Sequence, residues 1–240
     1  MKKQSKKIIV KNIRKYFEDE IFLNHKKKSL NDNAKLKSYK INPITVRYLS
    51  KVLDDNYTAE GIAKALYYPR VLGTSINTSF GGRIQKMFVE LGLAEASLID
   101  EMDIEFIDKV DNRRKYCQLK SGPNTINSGD VSPILTKFNA VVNRARTNSK
   151  MNLVNNDLVL GVLYGNSEEL SAHYKKIDKK FPVFTGTDFW YRLTGHKNIY
   201  KNLVVELDEL IFSLPTDDFL NVGWKKLAKE IEASPLFDNK

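Results

Sequence analysis

Between Met102 and Lys120 the sequence sets oxygen ligands and a lysine at the spacing of two neighbouring β-strands. MDIEFID (102–108) alternates polar and apolar residues, VDNR (110–113) has the composition of a turn, and RKYCQLK (114–120) alternates again. Two such runs about a turn read as a hairpin. Residues two apart on a strand face the same way, so Asp103 and Glu105 share one face of the first strand, and Gln118 and Lys120 one face of the second. Met102, Ile104, Phe106, Cys117 and Leu119 take the other, apolar face. A carboxylate, an amide oxygen and an ammonium gathered at one spot suit phosphodiester hydrolysis. Oxygen ligands suit Mg²⁺, and such an ion offsets phosphate charge and acidifies a water. A lysine beside it orients or deprotonates that water and steadies developing negative charge. On this reading Asp103 is the principal metal ligand, Gln118 donates its side-chain oxygen, and the backbone carbonyl of Leu119 is a further metal contact. The plainer alternative is a solvated polar strand face.

The flanking sequence must position this hairpin. Apolar residues at helical spacing predict helices over 8–24, from Pro43 to Leu53, and over 83–93. Thr58 caps an expected short helix that Pro69 ends. VLGTSINTSFGG (71–82) reads as a loop of small polar residues, and SGPNTINSGD (121–130) as a second loop. A helix is expected over 131–148, with a basic end carrying Arg144 and Arg146. LVLGVLYG (158–165) reads as a buried strand and PVFTG (182–186) as a further short one. Asp188 is the expected cap of the next helix, and helices over 200–213 and 216–233 close the chain. The expected organisation is a basic helical region over 1–70 and a compact core over 71–240.

Charge narrows the partners. The net charge is +10, and residues 1–40 carry 13 Lys or Arg against 4 Asp or Glu, a local surplus of +9. A basic arm of this kind is either simply solvated or touches phosphates without reading sequence. With one cysteine, Cys117, an intrachain disulfide and a cysteine zinc cluster are excluded. His25, His173 and His196 are far apart in sequence and form no metal-binding pattern. No G-x-x-x-x-G-K-[ST] loop occurs, so no nucleotide cofactor is expected. No apolar run is long enough for a signal peptide or a membrane span, which points to a cytoplasmic protein.

Three stretches resemble the PD-(D/E)xK nuclease superfamily, and within it the type II restriction endonucleases: Tyr68–Phe88, the pair MDIEF and YCQLKSGPNTIN within Met102–Asn127, and VFTGTDFWYRLTG, Val183–Gly195. The resemblance implies an α/β fold with a central mixed β-sheet flanked by helices, a homodimer, Mg²⁺ dependence, and cutting of double-stranded DNA at a short palindrome. It matches Asp103 and Lys120 to the motif's aspartate and lysine. Gln118 stands where the motif usually has Glu or Asp, which removes a negative charge beside the metal; Glu105 on the facing strand is the candidate to compensate. Met102 replaces the usual proline before Asp103. Gln85 and Glu90 lie on the preceding helix, which often supplies a further group, and both also suit core or surface roles. Ser121, Asn124, Thr125 and Asn127 follow Lys120 and are suited equally to DNA contact and to turn chemistry. Arg83 at a helix start and Arg144 complete the candidate DNA contacts. A structure-specific repair or junction nuclease, and a non-cutting DNA-binding regulator with a nuclease-like core, are the competing functions.

Overall fold

The computed structural model describes residues 5–147, 153–215 and 218–235. The expected basic arm begins, and the helices over 131–148 and 216–233 respectively end and begin, at positions outside the described residues. In chain order the helices are α1 (Lys6–Tyr16), α2 (Asn24–Asn31), α3 (Pro43–Asp54), α4 (Ala59–Pro69), α5 (Ile76–Glu90), α6 (Ser128–Thr147), α7 (Ala172–Asp178), α8 (Gly186–Thr194), α9 (Ile199–Ser213) and α10 (Phe219–Glu232). The strands are β1 (Glu95–Ala96), β2 (Ile104–Ile107), β3 (Arg114–Lys120), β4 (Leu158–Val162) and β5 (Val183–Thr185).

Local chemistry accounts for most boundaries. Asn42 caps α3 by accepting the Ile44 and Thr45 N–H groups, with Pro43 in the first turn. Thr58 caps α4 through the Gly61 N–H at 2.9 Å. The helix does not stop at Pro69, and 71–82 is not a loop: the chain widens into π-helical turns over Arg70–Ser75 and continues as α5. A wide turn next to a proline accommodates its missing N–H and its ring. Burial of Val71 and Ser75 outweighs the weak helix propensity of Gly, Ser, Thr and Asn, which is at most about 1 kcal/mol per residue. Thr185, not Asp188, is the N-cap of α8; Asp188 sits in the first turn and pairs with Arg192 at 3.0 Å.

Contacts divide the chain into two compact units, with bounds other than a split at 70/71. One comprises Met1–Lys15 and Ile84–Ile211, the other Tyr16–Arg83 and Phe212–Lys240. The helical unit packs α4 between α3 and α10, with Val46, Ile62, Ala63, Tyr67, Leu227 and Ile231 in its core. The C-terminal segment therefore goes with the N-terminal helices.

The other unit holds a five-stranded mixed sheet in the order β1-β2-β3-β4-β5. The first three strands are antiparallel; β3, β4 and β5 are parallel, and α6 supplies the crossover that a parallel β3–β4 pair requires. Every residue of β4 is buried, as a strand covered on both faces must be. On one face Leu158, Leu160 and Val162 pack with Phe138 of α6 and with Tyr174 and Ile177 of α7. On the other, Phe189 of α8 meets Phe88 and Phe106 edge to face. That packing leaves no room at Gly161, where a Cβ would lie 2.5 Å from Phe189 and 2.7 Å from Cys117 Sγ.

Candidate active site

β3 carries Gln118 and Lys120 toward the face it shares with Leu160 and Val162, its partners in register on β4. This face is not a bare polar surface. Tyr116, two residues earlier, packs on the apolar cluster beneath α6 and α7, and Gln118 and Lys120 are half-buried at the end of that cluster.

Asp103 lies one residue before β2, where the regular β2–β3 ladder ends. Three bonds fix it. Its N–H donates to Cys117 O at 2.9 Å, its carboxylate Oδ2 accepts the Leu119 N–H at 2.6 Å, and its own carbonyl accepts Gln85 Nε2 at 2.9 Å. Because a carbonyl can only accept, the last bond fixes the orientation of the Gln85 amide. The carboxylate thus replaces a backbone acceptor of the ladder and is held against residues 118–120. Burial pushes the Asp103 carboxyl above the ordinary carboxylate range; the Leu119 N–H and the Lys120 charge oppose this without cancelling it.

Gln118 Oε1 is buried and, among the described residues, has no hydrogen-bond partner. A buried carbonyl oxygen left so costs about 1–3 kcal/mol and is a place to look for a missing ligand. The Lys120 ammonium likewise makes no hydrogen bond or ion pair with a described residue, although its charge is felt at Asp103. Among the described residues no group of three or more His, Cys, Asp or Glu side chains is placed to hold a metal. A cation here would draw on the Asp103 carboxylate and the amide oxygen of Gln118, and this all-oxygen donor set fits Mg²⁺. Leu119 lies between the two candidate side chains of β3, its N–H committed to Asp103.

The remaining candidates are dispersed. Glu105 is buried and accepts from Ser97 Oγ (2.9 Å), Leu98 N (3.0 Å) and Arg114 Nη1 (3.0 Å), so it pins the segment before Asp103 and the sheet edge. Glu90 is exposed at the last position of α5. In the loop after Lys120, Ser121 is half-buried and Asn124, Thr125 and Asn127 are exposed. Asn127 performs turn chemistry, its Oδ1 accepting Gly129 N at 2.7 Å. Thr125 Oγ1, Tyr174 OH and the Gly122 carbonyl form a closed triangle of 2.9, 2.9 and 3.1 Å, and Ser171 N donates to Pro123 O at 3.1 Å. Arg144 and Arg146 are exposed in the last turn of α6. Arg83 belongs to the helical unit and is paired with Glu20.

Sequence reasoning left Tyr174 unnoticed. It is 52 residues from the Gly122 carbonyl that it holds, and nothing local in AHYKKID announces that link.

The model of the family described as Type II restriction endonuclease EcoO109I matches residues 11–211. No curated protein matches the chain. The match runs through the hairpin, the loop after Lys120 and the segment from β5 to α8, and it covers most of the sequence: the chain belongs to the type II restriction endonuclease EcoO109I family.

Proposed function

We propose that this chain is a Mg²⁺-dependent type II restriction endonuclease that cuts both strands of DNA at a short palindrome, acting as a homodimer. The observation that carries the proposal is the unsatisfied pair on β3, Gln118 Oε1 and the Lys120 ammonium, beside a carboxylate locked in place by the Leu119 N–H. Asp103 and Gln118 would hold the ion, which when bound supplies positive charge against the scissile phosphate. Lys120, unpaired by any described carboxylate, places the attacking water and offsets charge building on the phosphate. Asp103 must be ionised to serve, and burial, which raises its pKa, works against that form. Glu105 supports the site from one step away by fixing the Ser97–Ile99 segment.

DNA contact falls to the loop after Lys120, with the exposed Asn124 amide foremost, and to Arg144 and Arg146. Arg83 would have to leave Glu20 to reach a phosphate. Two strands need two cutting sites, and a two-fold pair of chains matches the symmetry of a palindrome.

The test is incubation with a plasmid of known sequence and Mg²⁺, followed by mapping of the fragment ends. The expected result is one set of ends sharing a short palindromic sequence, with no cutting in EDTA. Cutting confined to branched DNA, scattered ends, or binding without cutting would each overturn the reading.

A further inference from the structure

A cleft of about 810 Å³ opens beside β5, the edge strand of the sheet. Val183 and Thr185 of β5, Asn166 and Ser167 of the turn after β4, Thr187 in the first turn of α8, and Lys197 line it. Lys120 pairs in register with Val162, and Val162 with Thr185, so the three side chains form one row on one face of the sheet. Neighbouring strands are about 4.8 Å apart, which sets Thr185 about 10 Å from Lys120. Thr185 is only 6% exposed, yet its hydroxyl makes no hydrogen bond with a described residue and does not cap α8. A buried hydroxyl without a partner is costly, and what remains accessible of this one faces the cleft. The N–H groups of the first turn of α8 have no partner inside the helix and carry its positive dipole end. Gly186 fixes that turn against the chain after β4: its φ is 38°, and a Cβ there would lie 2.2 Å from the Gly165 carbonyl oxygen. The Lys197 ammonium is paired with no described carboxylate. Of the two carboxylates in the cleft, Asp188 is held by Arg192, whose Nε donates to its two oxygens at 3.1 and 3.0 Å, and Glu168 is exposed to solvent.

We propose that this cleft binds a phosphate group, and that the phosphate belongs to the DNA backbone a few nucleotides from the cut. An orphaned buried hydroxyl, a helix N-terminus, a second hydroxyl and an ammonium together suit a phosphate oxyanion. The span of about 10 Å to Lys120 corresponds to about three nucleotides of one strand at 3.4 Å per step. The choice of DNA as the source of the phosphate rests on the nuclease reading above; the anion site does not. The cleft is separate from the loop after Lys120 and from Arg144 and Arg146. A contact of this kind reads no base and sets which phosphate of the strand falls at the end of β3.

The experiment uses the full chain without Mg²⁺, so that DNA is bound and not cut. Inorganic phosphate is titrated first, followed by the amide magnetic-resonance signals of Gly186, Thr187 and Asp188. These are expected to shift and saturate with phosphate, not with chloride at equal ionic strength, and Thr185→Val is expected to abolish the response. Duplex DNA carrying the mapped cut site is titrated next. Thr185→Val is expected to weaken binding about 10-fold, as the loss of one hydrogen bond to a charged group does. Its unfolding midpoint should be no lower than that of the wild type, since no internal hydrogen bond is lost. Lys197→Ala is expected to reduce the slope of log K against log salt by about 0.9. Amides of α8 that ignore phosphate would overturn the anion site, and DNA binding unchanged in both variants would overturn the backbone contact. A chain whose α8 amides respond to phosphate but which binds no DNA would sink the nuclease reading and leave the anion site standing.

Discussion

The two ends of β3 carry similar residues in opposite states. At its start, Lys115 is only 1% exposed and meets Asp111 Oδ2 at 2.6 Å, the Asn156 carbonyl at 2.9 Å and Asp157 Oδ1 at 3.5 Å. Arg113, just before the strand, adds two further bonds to Asp157, at 2.7 and 2.5 Å. Burial alone would raise the Asp157 carboxyl, but the Arg113 hydrogen bonds, the Val154 N–H and the charges of Arg113 and Lys115 outweigh it and hold it below the ordinary range. At the other end Asp103, half-buried, is raised because only Leu119 and Lys120 oppose desolvation. A strand that satisfies one lysine completely and leaves the next polar pair without partners has separate tasks for them. The first end locks the β3–β4 register. The second is stable only at a cost that a ligand would remove.

Asp103→Ala breaks the contrast most severely. Cleavage should fall by about 10³-fold, within the range general acid–base and charge-stabilising groups supply, while the melting temperature moves little; single-turnover cleavage beside thermal unfolding checks this. Asp157→Ala should do the reverse. Stripping a buried lysine of one partner costs about 2–3 kcal/mol, less than a fully buried pair because Arg113 and Asp111 still reach solvent. Denaturant unfolding measures it, and the cleavage rate per folded molecule should be retained. Gln118→Leu sharpens the comparison: removing an orphaned buried oxygen should stabilise the chain by about 1 kcal/mol and slow cleavage about 10–100-fold. A destabilised Gln118→Leu would mean that the amide has a structural partner.

The smallest effect lies in the pH dependence of stability. Asp103 has a raised folded pKa, so its contribution is fully present below the ordinary value of 3.8 and is lost as pH rises through the raised value. Asp157 has a lowered one, so its contribution is present above 3.8 and lost as pH falls through the lowered value. Asp103→Asn, which keeps an oxygen for the Leu119 N–H, should therefore gain stability at neutral pH and none in acid. Asp157→Asn should lose stability at neutral pH and lose little in acid. Melting curves from pH 3 to 7 separate the two, and parallel slopes would erase the difference.

The hairpin was legible because alternation is a local signal: VDNR does turn the chain, and 114–120 is β3 to the residue. Thr58 announced its helix for the same reason. What escaped was set by distant packing. The segment over 71–82 has the composition of a loop, yet Val71 and Ser75 are buried and make it helical. Phe212–Lys240 looked like the end of the core, but α10 finds its apolar partners in α4. Asp103, Gln118 and Lys120 could be picked out in sequence; that the Gln118 oxygen is buried without a donor could not. Glu105 has the right type and spacing for a metal ligand, and only the fold reveals Ser97, Leu98 and Arg114 around it.

On the proposed function, the unsatisfied end of β3 is where DNA is cut. Its most direct test is the rate of Mg²⁺-dependent cleavage by Lys120→Ala on a DNA whose cut site has been mapped with the wild type, at protein concentrations where binding is complete. DNA binding is expected to persist and the rate to fall about 10³-fold. Cleavage within a few-fold of wild type would contradict it.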